Sequence, residues 1–414
     1  FTYTAGFAYF LGLALNSPQT IGILGGGQLA RMTLEAAMRF GAHCHVLDKN
    51  ADAPAVPYTR YFTQGDALDF DTVMRFGAAC DVVTIDSEHV NAAALTALAE
   101  AGKRVYPSGA VLAKIQNKCR QKEFLAARHI PTAKFRVFAS RAELKQAKLD
   151  FPCVQKMATA GYDGYGVKVL QSAADLDTAF DGESLIEEKI DIAKEIAVIV
   201  ATAENGKFVV YEAVEMVFDP QRNILSYQIC PAQIEGGLLQ RAAAIATNAA
   251  TQLGVRGLIA VEMFLTQSGE ILVNEMAPRP HNSGHHTIEA AATSQYENLV
   301  RILLNLPLGS AETTSPSLMM NLLGPEAARE KAESPRAEAG LDRGQARAQR
   351  LDLLRPELRV GFLHRRQALE HRFGGRIALR LGERAIERRA VHLVGEVRRQ
   401  PFDLAVRHDP PFRV

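Results

Sequence analysis

Two runs of branched and aromatic residues, Leu258-Ile-Ala-Val-Glu-Met-Phe264 and Glu270-Ile-Leu-Val-Asn-Glu275, flank Thr266-Gln-Ser-Gly269. No other pattern in the chain constrains the fold as tightly, because it reads as a β-hairpin. With Ser268-Gly269 as a two-residue turn, Gln267 faces Glu270, and counting outward sets Glu262 opposite Glu275. Like charges facing across a strand pair are destabilising, so a cation belongs between them. Two carboxylates and the Asn274 amide suit the oxygen coordination that magnesium takes beside nucleotide phosphates. Two plainer arrangements stay open: one carboxylate faces water, or a longer turn slips the register by a residue.

After Glu275 the chain reads Ala277-Pro-Arg-Pro280. Each proline biases its predecessor toward an extended shape and removes a donor, which makes a stiff exit from the sheet. That exit delivers Arg279, His281, Asn282 and Ser283 to the hairpin end that carries the acids. Arg279 can grip an oxyanion with paired donors, and the other three can orient it; a polar loop without a ligand is the alternative. Upstream, Phe151-Pro-Cys-Val-Gln-Lys156 reads as a strand ending in a lysine, followed by Ala158-Thr-Ala-Gly-Tyr-Asp-Gly-Tyr-Gly166. Gly161, Gly164 and Gly166 permit close approach to phosphates and leave a loop able to act as a lid. It is not a Walker loop, since no Gly-Lys-Ser/Thr ends it, and an ordinary turn is the plain reading. Ser184-Leu-Ile-Glu-Glu-Lys-Ile190 is an apolar strand ending in paired acids, with Lys194-Glu195 beyond it. It can offer an adenine its backbone and a ribose a carboxylate, or simply be a solvated strand end.

Strand-helix alternation from Thr20 to about Ala110 predicts a parallel sheet with helices on both faces, its buried strands including 21–24, 42–47 and 81–85. A single helix from Gly109 to His129 is expected to lead out of it. Gly25-Gly-Gly27-Gln-Leu-Ala30 fits the dinucleotide fingerprint, and Asp48 ends the next strand, so an NAD-dependent dehydrogenase is the rival reading. What the residues support physically is narrower: a glycine turn at a helix N-terminus that can bind an anion.

The order of Lys118, Lys156, the glycine loop, Glu187-Glu188, Glu195, Glu262 and Asn274-Glu275 resembles that of the ATP-grasp enzymes. Within them the chain resembles the N5-carboxyaminoimidazole ribonucleotide synthetases, which act in purine (IMP) biosynthesis. Four stretches carry the likeness: Thr20 to Met32, Gly161-Tyr-Asp-Gly164, Asn274 to Glu289, and Ser315 to Gly324. The resemblance implies an α/β and α+β multidomain protein. A Rossmann-like domain spans 20–112, an ATP-grasp domain 113–312, and a further domain starts over 313–330. It implies a ligase that carboxylates aminoimidazole ribonucleotide with bicarbonate, using ATP and Mg2+, as a cytoplasmic homodimer. By the same resemblance Lys118, Lys156, Gly161, Gly164, Gly166, Glu187, Glu188, Lys189, Ile190, Glu195, Asn274 and Glu275 hold ATP. Glu262, Asn274 and Glu275 hold the metal. Gly27, Gln28, Leu29, Glu88, Tyr162, Asp163, Arg279, His281, Asn282 and Ser283 line the pocket for ribonucleotide and bicarbonate, and Lys156, Arg279 and His281 are the catalytic candidates. Two departures stand out. Asp86-Ser-Glu88-His-Val90 places a shorter acid where the family often has glutamate, and Phe218 stands about where many members place a histidine. An ATP-binding relic without turnover is the second hypothesis, and another ATP-grasp ligase a related one.

Composition agrees with a folded multidomain protein: 414 residues, 47% apolar, net charge +1. Cysteines 44, 80, 119, 153 and 230 form no close pair, so neither a zinc site nor a disulfide framework is expected. Residues 1–19 form an unmatched leader whose apolar run, Phe1 to Leu15, lacks basic flanks and falls short of the roughly 20 residues needed to cross a bilayer. Beyond Lys331 there is no lysine, while arginine makes up roughly one residue in five. Residues 331–414 do not resemble the family's small β-rich closing domain, and a change of coding frame near Gly324 to Lys331 is the expectation. A basic nucleic-acid arm is the lesser reading, because eleven acids are interspersed; neither nucleic acid nor membrane is expected as a partner.

Overall fold

A computed structural model of the chain describes residues 19–159, 166–219, 224–321 and 393–396. The leader, the tip of the glycine loop and almost all of the arginine-rich segment lie outside the described residues.

The first five strands are β1 (Thr20–Leu24), β2 (His43–Asp48), β3 (Tyr61–Gln64), β4 (Val82–Ile85) and β5 (Arg104–Tyr106). They pair in parallel in the order β3-β2-β1-β4-β5. A strand buried on both faces reads as a continuous apolar run, and Ile21, Ile23, Leu24 and all of β4 are buried. Helix α1 (Gln28–Met38) packs on one face, and α2 (Phe70–Ala78) and α3 (Ala92–Glu100) on the other.

The expected single helix over 109–129 is two, α4 (Gly109–Ile115) and α5 (Lys118–Ala127). Asn117 breaks it. Its side chain accepts from the Arg120 amide at 3.0 Å, the local hydrogen bond by which Asn competes with a helix interior. Gln116 holds the break in place by donating to the Glu88 and Val90 carbonyls, both at 2.7 Å. The consequence is functional: α5 begins at Lys118.

An antiparallel sheet follows, formed by β6 (Phe135–Phe138), β7 (Cys153–Met157), β8 (Val167–Leu170) and β9 (Ser184–Glu188) in the order β6-β9-β7-β8. With α6 (Arg141–Gln146) it closes a core of its own around Phe138, Leu144, Leu170 and Ile186.

The largest sheet comprises β10 (Ile192–Thr202), β11 (Phe208–Val210), β12 (Val214–Phe218), β13 (Leu225–Cys230), β14 (Gly257–Thr266), β15 (Ile271–Ala277), β16 (Ser317–Met320) and β17 (Leu393–Glu396). Its order is β15-β14-β10-β12-β13-β16-β17, with β11 beside β10. The long helix α7 (Gly236–Leu253) covers Ile196, Val198, Val261 and Met263 on one face. Short α8 (Thr287–Ala290) and α9 (Gln295–Leu303) complete the fold, and α9 packs against the core that holds α1.

The β14–β15 hairpin forms, but not with the expected turn. Thr266 pairs with Glu270, so the loop is Gln267-Ser268-Gly269, with Gly269 at φ +83°. That is the three-residue hairpin that ends on a left-handed glycine. Such a turn alone would set Asn274 opposite Glu262. A β-bulge between Met263↔Val273 and Glu262↔Glu275 inserts Asn274 as an extra residue, and Glu275 also comes to face Glu262. The acids oppose each other as expected, through a longer turn and a bulge whose effects cancel. All five cysteines are free and buried. Among the described residues no helix is long and apolar enough to cross a membrane.

Candidate active site

Bulges re-aim side chains, and here Asn274 and Glu275 each meet a lysine from a different element. Lys118, the first residue of α5, ion-pairs with Glu275. Lys156, near the end of β7, donates to Asn274 Oδ1 at 2.7 Å. Glu262 lies 3.3 Å from His281 Nε2. The facing acids share their charge unequally. Burial, and then Glu275, push the Glu262 carboxyl up to about 8. Burial would raise Glu275 too, yet the Lys118 ammonium outweighs it and holds that carboxyl low. One proton and one lysine thus stand where two carboxylates would otherwise repel.

His281 is neutral, because burial and the neighbouring Arg279 lower its pKa to about 3. Its Nδ1 accepts from the Ser283 amide at 3.2 Å, which leaves the proton on Nε2, toward Glu262. Its contact with Glu262 is therefore a polar contact and not an ion pair. Ser283 Oγ lies 2.9 Å from the same Nδ1, so its role is to orient the ring. Asn282 Oδ1 is buried without a hydrogen-bond partner among the described residues.

Glu195 sits on the same cleft face. Burial raises its pKa, with Lys156 and Glu275 as the charged neighbours. Glu187 is different from the expectation. Both its oxygens are taken inside the protein, by Lys156 Nζ at 2.7 Å and Lys122 Nζ at 2.5 Å. Glu188 accepts from the Lys134 amide at 2.9 Å, and Lys189 beyond it is exposed while Ile190 is half-buried. The side chains of this stretch are thus engaged or turned outward, and its backbone is what it can offer a base. Gly161, Tyr162, Asp163 and Gly164 lie outside the described residues; Gly166 closes the loop at φ +74°, its carbonyl accepting from the Met157 amide at 2.8 Å.

The glycine turn is the clearest departure. Gly27 N donates to Asp86 Oδ2 at 2.7 Å, Ala30 N to Asp86 Oδ1 at 2.6 Å, and Gly26 N to Asp48 Oδ2 at 2.7 Å. A Cβ on Gly27 would fall 2.3 Å from Asp86 Oδ2, so glycine is needed for the approach of a carboxylate of the chain itself. The anion expected at these amides is internal, and Asp48 is engaged there and not available to a nicotinamide ribose. Of the three residues expected there, the Gln28 and Leu29 amides have no hydrogen-bond acceptor among the described residues. Glu88 is engaged as well, accepting from Arg279 Nε at 2.9 Å. Arg279 Nη1 donates to the Pro280 carbonyl at 2.9 Å. Phe218 packs on the apolar cluster of Val214, Met216 and Leu225.

Sequence reasoning missed Lys122. The signal was present: Lys118 and Lys122 are four apart on one helix, hence on one face. It also missed Asp86 as a helix cap. Among the described residues no three His, Cys, Asp or Glu gather to hold a metal by themselves. Two facing carboxylates, whose mutual repulsion adds to burial in raising the Glu262 pKa, fit a divalent ion completed by phosphate oxygens.

Residues 123–296 match the ATP-grasp domain family, and residues 18–116 match the ribonucleotide synthetase preATP-grasp domain family. The chain is 36% identical over 319 residues to N5-carboxyaminoimidazole ribonucleotide synthase of Synechococcus elongatus, covering 75% of this chain and 80% of that protein. It is 35% identical over 313 residues to the Bacillus subtilis enzyme of the same name, covering 74% and 81%. The crystal structure of the Thermotoga maritima synthetase superposes with a TM-score of 0.68 at 39% identity, covering 74% of this chain and 81% of that one. An Aspergillus clavatus enzyme in complex with ADP and 5-aminoimidazole ribonucleotide superposes with a TM-score of 0.70 at 32% identity, covering 77% and 85%. With its two lysines, facing glutamates and paired family matches, this chain belongs to the N5-carboxyaminoimidazole ribonucleotide synthases, ligases of the ATP-grasp type.

Proposed function

We propose that the chain carboxylates 5-aminoimidazole ribonucleotide with bicarbonate at the expense of ATP, yielding N5-carboxyaminoimidazole ribonucleotide, ADP and phosphate. The observation that carries this reading is the convergence of Lys118, Lys156, Asn274, Glu262 and Glu275 on one cleft. A bicarbonate oxygen attacks the γ-phosphorus and ADP leaves. The resulting carboxyphosphate breaks its C–O bond to give phosphate and carbon dioxide, and the amine takes the carbon with loss of a proton.

Phosphoryl transfer is mostly positioning and charge neutralisation. Lys118 and Lys156 bring positive charge to the phosphates, Glu195 accepts from the ribose, and the backbone of 188–190 borders the base. A divalent ion held by Glu262 and Glu275, with Asn274, would neutralise charge on the phosphate oxygens. Arg279, fixed by Glu88, presents a guanidinium to bicarbonate, and neutral His281 offers its Nε2 proton near Glu262. The Gln28 and Leu29 amides, with Asn282, border the ribonucleotide. We take 20–112 and 113–312 as the two working domains, and a homodimer in the cytoplasm as the working state.

Phosphate release from ATP that requires both aminoimidazole ribonucleotide and bicarbonate is the expected result. ADP binding without that joint requirement would favour a nucleotide-binding relic, and would sink the carboxylase reading.

A further inference from the structure

Lys122 is 3% exposed. Its ammonium touches Thr132 Oγ1 at 2.5 Å, the Val273 carbonyl at 3.3 Å and Glu187 at 2.5 Å. Glu187, also 3% exposed, is the shared partner of Lys122 and Lys156. The line Lys122–Glu187–Lys156–Asn274 joins α5 and two strands of the antiparallel sheet to β15 of the largest sheet. Taking a lysine and a carboxylate out of water costs several kcal/mol per ion, and apolar residues would fill a structural seam at less cost. The charges are also unequal. Glu187 alone would cancel Lys156, whose side chain retains 12% exposure at the cleft; with Lys122 present the cluster keeps one net positive charge.

We propose that Lys122 is a positioning residue for the nucleotide phosphates: it offsets Glu187, so that Lys156 is held against Asn274 by a carboxylate and still meets a polyanion as a cation. The inference rests on the ATP-binding reading of the cleft. It assigns Lys122 no contact with substrate. Its effect travels through Glu187, and it acts on charge and not on the adenine.

The test is calorimetric titration of the full chain with ADP, beside displacement of a fluorescent nucleotide by adenosine. Lys122→Met should weaken ADP about tenfold, a loss typical of coupled neighbours, and leave adenosine unchanged. Lys122→Arg should stay within about threefold of the parent, because the charge is retained. The double variant K122M/E187Q removes one charge of each sign, and should recover ADP binding to within about threefold of the parent. A double variant no better than K122M, or adenosine weakened as much as ADP, would overturn the proposal in favour of a purely structural lysine. If K122M does not fold, the double variant alone decides, by whether it binds ADP like the parent or about tenfold more weakly. Since binding is read and not turnover, the expected pattern without substrate-dependent phosphate release would refute the carboxylase and leave Lys122 its role. A chain that binds no ADP would refute both.

Discussion

At the scale of single residues, the chemistry was legible where two side chains had to meet across a short stretch of chain, and hidden where they met across a long one. Glu262 and Glu275 sit on adjacent strands, so counting from a turn set them face to face. Lys122 and Glu187 are 65 residues apart, and only the fold could show that one buries the other. Asp86 likewise reaches back 59 residues to the Gly27 amide, taking donors that the glycine pattern assigns to a ligand. Buried histidines give this scale a measurable consequence. His286 is 3% exposed, with Nδ1 3.0 Å from Gln228 Nε2 and 3.1 Å from the Ser283 carbonyl. Burial lowers its pKa to about 4 from an ordinary 6.5. Between those values the unfolded chain binds a proton that the folded chain refuses, so stability falls as pH drops from 6.5 toward 4 and is flat above 6.5. The full contribution is about 3 kcal/mol by that linkage. Urea midpoints measured from pH 7 to pH 4.5 should show the decline, and in His286→Gln the slope should shrink by about one proton. An unchanged slope would mean that other groups carry the acid limb.

Elements were read well in kind and poorly at their boundaries. The parallel sheet follows from strands apolar on both faces, and the hairpin from its punctuation. The break between α4 and α5 escaped because Gln116-Asn117 carries neither proline nor glycine; the Asn side chain does the work by capping. The bulge at Asn274 escaped because nothing in Val273-Asn274-Glu275 marks an extra residue. The turn precedes β15 and the bulge lies at its middle, and the distance between them separates two properties. Gly269 has φ +83°, so Gly269→Ala should lower stability by about 1 kcal/mol through backbone strain. The strain sits roughly 20 Å of strand away from Glu275, and ADP affinity should stay within about twofold. A thermal shift without a binding change is the expected pair of results; loss of ADP binding would mean that the hairpin transmits strain along its length.

For the molecule as a whole, the arrangement of cores decides what moves with what. One apolar cluster runs from Ile21, Ile23 and Met32 beside the first sheet to Ile199, Leu258, Tyr296 and Leu299 beside the largest one. Arg279–Glu88 at 2.9 Å and Tyr106–Glu204 at 2.6 Å tie the same two regions. The four-stranded sheet instead closes over its own cluster around Phe138, Leu144 and Leu170. Regions that share a core unfold together, and a region with its own small core opens at lower free energy. The sequence, with its strand-helix alternation giving way to hairpins, pointed to separate domains; the shared cluster could not be read there, because its members are spread from Ile21 to Ala311. Leu299, 1% exposed in that cluster, gives the test. Leu299→Ala should cost about 2–5 kcal/mol by leaving a cavity. The chain contains no tryptophan, so one probe can be introduced at Tyr61 and another at Phe208, both half exposed. The two probes should report the same lowered midpoint, while amide exchange in β6–β9 should be faster than in either region and slow down when ADP is added. A Tyr61 probe that melts apart from the Phe208 probe would show that the two sheets are joined only by contacts at their edges.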